Sequence, residues 1–311
     1  MATSRKIIHE RLAFEDNRLV PLLYGEQNIH LSKIEDALGV QISSRGNEIT
    51  ITGERAPIEK ARQVIEALWA KVMQGQDVEP QTVDSALRFL EQQGEDSNIT
   101  DINKAHGPVI KGFHGDEIQI VTRKKKIQPR SPMQENYMKA MHKSRLVFGI
   151  GPAGTGKTYL AVAMAVSMME QGIVERIILS RPALEAGEKI GFLPGEMKEK
   201  MDPYMRPLYD ALQDTMPAEV VQKKIASEEI EIAPLAFMRG RTLNNAFVIL
   251  DEAQNTSNMQ MLMFLTRLGE NAHMVITGDP AQTDLPAGTL SGLADARQTL
   301  EGTEGIDFVE F

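Results

Sequence analysis

The eight residues Gly151-Pro152-Ala153-Gly154-Thr155-Gly156-Lys157-Thr158 follow the order G-x-x-x-x-G-K-T, which occurs once in the chain. Each residue type has a physical job if the ligand is a triphosphate. Glycines let the backbone turn its N–H groups inward onto phosphate oxygens, and a helix starting at the loop adds the positive end of its dipole. Lys157 would neutralise the β and γ phosphates, and the Thr158 hydroxyl would give an oxygen to Mg²⁺. This is the expected phosphate-binding loop, with ATP and Mg²⁺ as the expected ligands.

Three further groups complete the chemistry. Phe247-Val248-Ile249-Leu250-Asp251-Glu252 is an apolar run ending in two acids. At the carboxyl edge of a sheet, Asp251 would hold Mg²⁺ beside Thr158, and Glu252 would position and deprotonate the attacking water. A second apolar run, from Val275, ends in Thr277-Gly278-Asp279-Pro280-Ala281-Gln282, where Thr277 or Gln282 would read the γ-phosphate. Glu252, Lys157 and Gln282 are therefore the expected catalytic residues. Upstream, Gln134 lies one turn into a predicted helix, where its amide could both donate to and accept from adenine.

Such groups act together only if strands deliver them to one edge. From residue 132 onward, apolar runs at 146–150, 176–180, 230–234, 246–250, 274–277 and 308–311 alternate with helical segments. That alternation predicts an α/β domain over 132–311, a parallel sheet with helices on both faces. An Ala/Met/Leu-rich helix follows the loop directly. The methionine-rich helix at 258–268 reads as core, since Met at helical spacing usually packs inside.

Residues 1–75 read as a smaller α/β unit. Apolar residues at helical spacing in 31–38, strands at 40–43 and 48–52 around Arg45-Gly46-Asn47, and a helix over 57–72 make it up. Ile58, Ala61, Val64, Ile65, Leu68 and Trp69 form the expected buried stripe of that helix. Residues 76–131 read as a connector, with one helix at 83–91, a polar loop at 94–112 and one strand at 117–122, too long and too polar for core.

The composition has no cysteine, which removes disulfides, thiolate zinc sites and cysteine nucleophiles together. The six histidines show no metal-ligand spacing. A net charge of −9 argues against non-specific binding to nucleic-acid phosphates, though the run Arg123 to Lys126 is open to an electrostatic role or a solvated strand end. The first residues are charged and no apolar run approaches a membrane span, so the expectation is a cytoplasmic protein with no membrane partner.

These elements in this order resemble the ATP-binding core of superfamily 1 helicases, and the whole chain is similar to the PhoH-like family. The residues that carry the resemblance are SRPALEAGEKIGFLPG at 180–195, MRGRTLNNAFVILDEAQN at 238–255 and TGDPAQTDLP at 277–286. It implies a RecA-like P-loop NTPase domain preceded by a small KH-like α/β domain. It also implies a cytoplasmic, Mg-dependent ATPase associated with phosphate starvation and RNA metabolism. The chain stops at Phe311, short of the arginine-bearing segment and final helix that the family pattern adds. A KH module clamps a nucleic-acid backbone with a G-x-x-G loop. Here the turn reads Gly25-Glu26-Gln27-Asn28, which leaves RNA clamping and partner docking both open.

A helicase of that superfamily has two RecA-like domains, and this chain has room for one. The resemblance therefore implies a homo-oligomer, a ring for instance, in which a neighbour supplies an arginine. Arg181, Arg206, Arg239 and Arg241 are the candidates, with Arg239 and Arg241 preferred. The segment 187–195 reads equally as a contact surface or as core. No acidic cluster outside the site suggests a nuclease, so any RNA cleavage would belong to a partner ribonuclease. Two functions follow: an oligomeric ATPase for RNA handling or remodelling, and a nucleotide-gated RNA- or protein-binding module with little turnover.

Overall fold

The computed structural model describes residues 7–93, 118–182, 197–286 and 288–311. Alternation sets the first unit, Met1–Glu117 with Pro129–Pro132. Its elements are β1 (Ile8–Ala13), α1 (Val20–Tyr24), α2 (Ile29–Leu38), β2 (Gln41–Arg45), β3 (Glu48–Gly53), α3 (Arg55–Met73) and α4 (Pro80–Gln93). The strands form an antiparallel sheet in the order β1-β3-β2. Ile49 and Ile51 of the central strand are buried while Thr50 and Thr52 are less so, the period-two pattern of a sheet covered on one face. Gly46, at φ +63°, and Asn47 form the two-residue loop between β2 and β3. The stripe of α3 is buried as expected from Ile58 to Leu68, but Trp69 is only partly buried, against Phe14 at 4.8 Å.

The connector reading is corrected at both ends. The helix expected at 83–91 is α4, and its Val83, Ala86, Leu87, Phe89 and Leu90 are buried in the same core as α2 and α3. Gln81 and Arg88 are exposed, so overall polarity hid an amphipathic core helix. The strand expected at 117–122 is β4 (Ile120–Val121), which pairs with β5 (Lys126–Ile127) and belongs to the second unit. The loop expected at 94–112 and the segment 187–195 lie outside the described residues.

The second unit comprises Ile118–Gln128 and Met133–Phe311. After β5 come α5 (Pro132–Lys143), β6 (Leu146–Ile150), α6 (Lys157–Glu170), β7 (Arg176–Arg181) and α7 (Met197–Thr215). Then follow α8 (Ala218–Ala226), β8 (Ile230–Pro234), β9 (Ala246–Leu250), α9 (Asn258–Leu265), β10 (His273–Gly278), α10 (Gly292–Leu300) and β11 (Ile306–Glu310). All six expected strands pair in parallel, in the order β11-β6-β10-β9-β7-β8. Of the central strands, β6 and β9 are apolar throughout because both their faces are covered. Val147, Phe247, Ile249 and Val275 face the core built on α6, while Phe148, Val248, Leu250 and Ile276 face the core of α9 and α10. Gly149 is a packing requirement: a Cβ there would lie 2.8 Å from the buried Tyr137 ring. The core reading of the methionine-rich helix holds for one face only. Met261 and Phe264 are buried, while Met259 and Leu262 are exposed.

The strand order brings the carboxyl ends of β6, β10, β9 and β7 side by side. The loops that leave them carry residues 151–158, 278–282, 251–252 and 181, widely separated in sequence. Among the described residues, no helix is long and apolar enough to cross a membrane.

Candidate functional site

The phosphate loop leaves β6 through Gly151, whose N–H donates to the Gly278 carbonyl at 3.1 Å. Gly151 has φ +146°, and a Cβ there would meet the Phe311 Cβ and carbonyl at 2.8 Å. Gly154 and Gly156, at φ +79° and +90°, turn the chain into α6, a helix of 14 residues. Lys157 is buried, and its ammonium donates to the Gly151 carbonyl at 2.7 Å, the Pro152 carbonyl at 2.6 Å and the Thr155 hydroxyl at 3.2 Å. Burial pulls its pKa below the usual lysine range, and the charges of Asp279, Asp251 and Glu252 oppose that pull. Gln134, from the first turn of α5, donates to the Thr155 carbonyl at 2.9 Å. The structure thus brings Gln134 to the loop, on its backbone.

Asp251 follows β9 and is buried, so its carboxylate needs partners. Oδ1 accepts from the hydroxyls of Thr158 and Thr277, both at 2.7 Å. Oδ2 accepts from Arg181 Nε at 3.1 Å, with Nη2 at 3.0 Å. Thr277 is corrected by this geometry: it is fully buried and holds Asp251 instead of facing a phosphate. Glu252 takes a left-handed conformation, φ +55°, which costs a non-glycine residue strain and turns its side chain into the cleft. Its Oε1 accepts from Arg181 Nη2 at 2.9 Å and its Oε2 from Gln254 Nε2 at 2.6 Å.

Sequence reasoning missed Gln254 and Asp279. Buried Gln254 also donates to the Gln282 carbonyl at 3.3 Å and accepts from the Asp279 N–H at 3.0 Å, which joins the β9 loop to the β10 loop. Gln282 is exposed at the cleft rim, its amide on Asp279 Oδ2 at 2.6 Å. Asp279 had a signal, an acid directly after a strand, as Asp251 is after β9; Gln254 had none.

These groups line a cleft of about 660 Å³ closed on its far side by α7, through Pro207, Asp210, Ala211 and Asp214. Asp214 accepts from the Tyr159 hydroxyl at 2.9 Å and pairs with Lys125. Lys124 donates to the Gln213 carbonyl and Arg123 N–H to Glu170. Most of the basic run is therefore tied to helix ends of its own unit. The arginines separate as well. Arg181 is corrected from a residue reaching into a neighbour to one bonded inside its own site. Arg241 makes a two-fold pair with Glu231 at 2.7 Å for both contacts, whereas Arg206 and Arg239 are exposed.

The donor set fits Mg²⁺ bound with a phosphate. Thr158 and Asp251 put a hydroxyl and a carboxylate oxygen within 2.7 Å of each other. Among the described residues no cluster of three acids or histidines forms a metal cage. Mg²⁺ ordinarily takes one or two protein oxygens and completes its shell with phosphate and water.

In the first unit the turn between α1 and α2 is built differently. Gly25 has φ +71°, and a Cβ there would meet the His30 ring at 2.8 Å. Gln27 and Asn28 are also left-handed, at φ +53° and +60°. The groove beside them, about 540 Å³, is lined by Leu22, Ile29 and Val78 together with Glu26, Asp77 and Glu79, and among its described lining there is no lysine or arginine.

The PhoH-like protein family matches residues 126–311, and the KH domain matches residues 10–67. A PhoH-like protein of Bacillus subtilis is 44% identical over 288 residues, 93% of this chain and 86% of its own length. A PhoH-like protein of Mycobacterium tuberculosis is 46% identical over 293 residues, 94% of this chain and 79% of its own length. Protein PhoH of Escherichia coli is 43% identical over 221 residues, 70% of this chain and 61% of its own length.

Proposed function

Because the chain belongs to the PhoH-like protein family, we propose that its second unit binds ATP and hydrolyses it with Mg²⁺, and that the protein acts in the cytoplasm as an oligomer in RNA handling or remodelling. The observation that carries this reading is the shared carboxylate of Asp251, bonded to Thr158 of the phosphate loop and adjacent to Glu252. In this reading the N–H groups of residues 151–158 and the start of α6 hold the phosphates, and Lys157 exchanges loop carbonyls for phosphate oxygens. Thr158 and Asp251 would hold Mg²⁺, which neutralises charge on the transferred group. Glu252 orients the water and takes its proton, and Gln254 keeps that carboxylate aimed. Gln282 reads the γ-phosphate from the rim, and Gln134 meets adenine beside the loop. Of the arginines preferred for a neighbour's site, Arg239 fits better, since Arg241 is engaged by Glu231.

RNA contact through the Gly25–Asn28 turn is disfavoured by the carboxylates of its groove. This favours, as the second reading, a nucleotide-gated module in which that face docks a protein, a partner ribonuclease for instance.

ATP turnover with and without single-stranded RNA, for the parent and for Glu252→Gln, tests the first reading. RNA-stimulated turnover in the parent and ATP trapped by the variant are expected. Negligible turnover in the parent, with ATP changing only partner affinity, would replace it with the second.

A further inference from the structure

Resting on the ATPase reading, we propose that Arg181 is the catalytic arginine of its own chain's site, moving from Asp251 and Glu252 to the γ-phosphate when ATP and Mg²⁺ bind. Arg181 ends β7 beside the end of β9, and the N–H of Asp251 donates to the Ser180 carbonyl at 2.9 Å, which fixes the two strand ends together. Its guanidinium contacts both acids, while Nη1 donates to the Tyr204 carbonyl on α7. The side chain is 15% exposed and lines the same cleft as Lys157 and Gln282.

Three physical points select this role over a purely structural ion pair. First, both oxygens of Asp251 are engaged: Oδ1 accepts from two hydroxyls, and Oδ2 accepts from Arg181 Nε with Nη2 at ion-pair distance. A divalent cation drawn to Asp251 meets one positive competitor there, and like charges at contact distance repel strongly in a buried site. Thr158 and Thr277 are neutral and can stay; Arg181 is the partner that must give way. Second, the released fork of N–H donors has the planar geometry that suits phosphate oxygens. Third, a carboxylate that delivers water to the γ-phosphate must lie beside it, and Arg181 touches that carboxylate already, at 2.9 Å. The chain then supplies one arginine to its own site, and a neighbour's Arg239 would add to that charge without replacing it.

The full chain is tested as Arg181→Ala and Arg181→Lys against the parent, alone and mixed with Glu252→Gln. Retention of labelled ADP with Mg²⁺ and aluminium fluoride, a mimic of the transferred phosphoryl group, is the primary readout. Arg181→Ala is expected to keep ADP affinity within about three-fold while turnover falls about 10³-fold and the fluoride complex is lost. Arg181→Lys keeps the charge without the fork and is expected to recover part of both. Mixing Arg181→Ala with Glu252→Gln is expected to restore nothing, because each site keeps its own defect. Recovery of turnover on mixing would show that Arg181 serves a neighbour, and parent-level fluoride capture by Arg181→Ala would make it a structural pair only. A parent that neither hydrolyses ATP nor captures the complex would bring down the ATPase reading and this role with it. A parent that does both while Arg181→Ala matches it brings down this role alone.

Discussion

Two loops of this protein begin with a glycine and lead into a helix, and only one has the glycines and lysine that the proposed phosphate site requires. At Gly151–Thr158 three glycines take positive φ, Lys157 stands behind them, and a helix of 14 residues starts at Lys157. At Gly25–Asn28 one glycine is followed by Glu26 and by two left-handed residues with side chains, and the adjoining groove is acidic. Both turns satisfy the backbone demand that a chain reverse sharply before a helix. What separates them is charge. Glycine lets a backbone approach an anion, but a fixed carboxylate at the same place repels it, and no turn geometry overcomes that.

The largest way to break this comparison is Lys157→Ala. Loss of a charge-assisted contact to phosphate is expected to weaken ATP binding about 10- to 100-fold, read by fluorescent-nucleotide titration. Glu26→Ala is expected to leave the same titration unchanged. Gly25→Ala should destabilise the first unit by about 1–3 kcal/mol in a denaturant melt, since the Cβ meets the His30 ring in a left-handed backbone. The same change at Gly154, where nothing lies within 4 Å, should cost only the backbone strain, about 1–2 kcal/mol.

Acid tests the second unit by itself. Burial lowers the pKa of His273 and of His142, the former also through nearby Arg145 and His142. A histidine whose folded pKa is depressed stabilises the fold above its ordinary value and loses that contribution as pH falls. The melting temperature is therefore expected to hold above about pH 6.5 and to decline below it, and His273→Gln should flatten that decline. The smallest effect is expected for Glu26→Lys, a few-fold gain in affinity for single-stranded RNA at low salt, lost as salt rises. An unchanged affinity would mean that the groove's remaining acids, Asp77 and Glu79, suffice to exclude the backbone.

Much of this architecture was legible early. The strands of the parallel sheet are legible because buried strands read as apolar runs: β6 and β9 are apolar at every position, while β8 carries Glu231 and β11 carries Asp307 and Glu310. The hairpin at Gly46-Asn47 and the stripe of α3 were legible for the same local reason. β1 was not, since Ile8–Ala13 interleaves His9, Glu10 and Arg11 and has only one weakly buried face. α4 is legible as a helix but not as part of the core, because periodicity tells that a face is apolar and not what covers it.

The residues themselves determined the kind of chemistry. Glycine spacing, Lys157, Thr158 and the acids after an apolar strand carry the proposal of phosphate and a hard cation, through local conformation and formal charge. Tertiary structure decided the wiring. Thr277 holding Asp251, Gln254 joining two loops and Arg181 lying on its own acids all depend on β10 entering between β6 and β9, and on β7 pairing beside β9. Those pairings are between strands dozens of residues apart, and a local pattern carries no record of which strand ends will become neighbours.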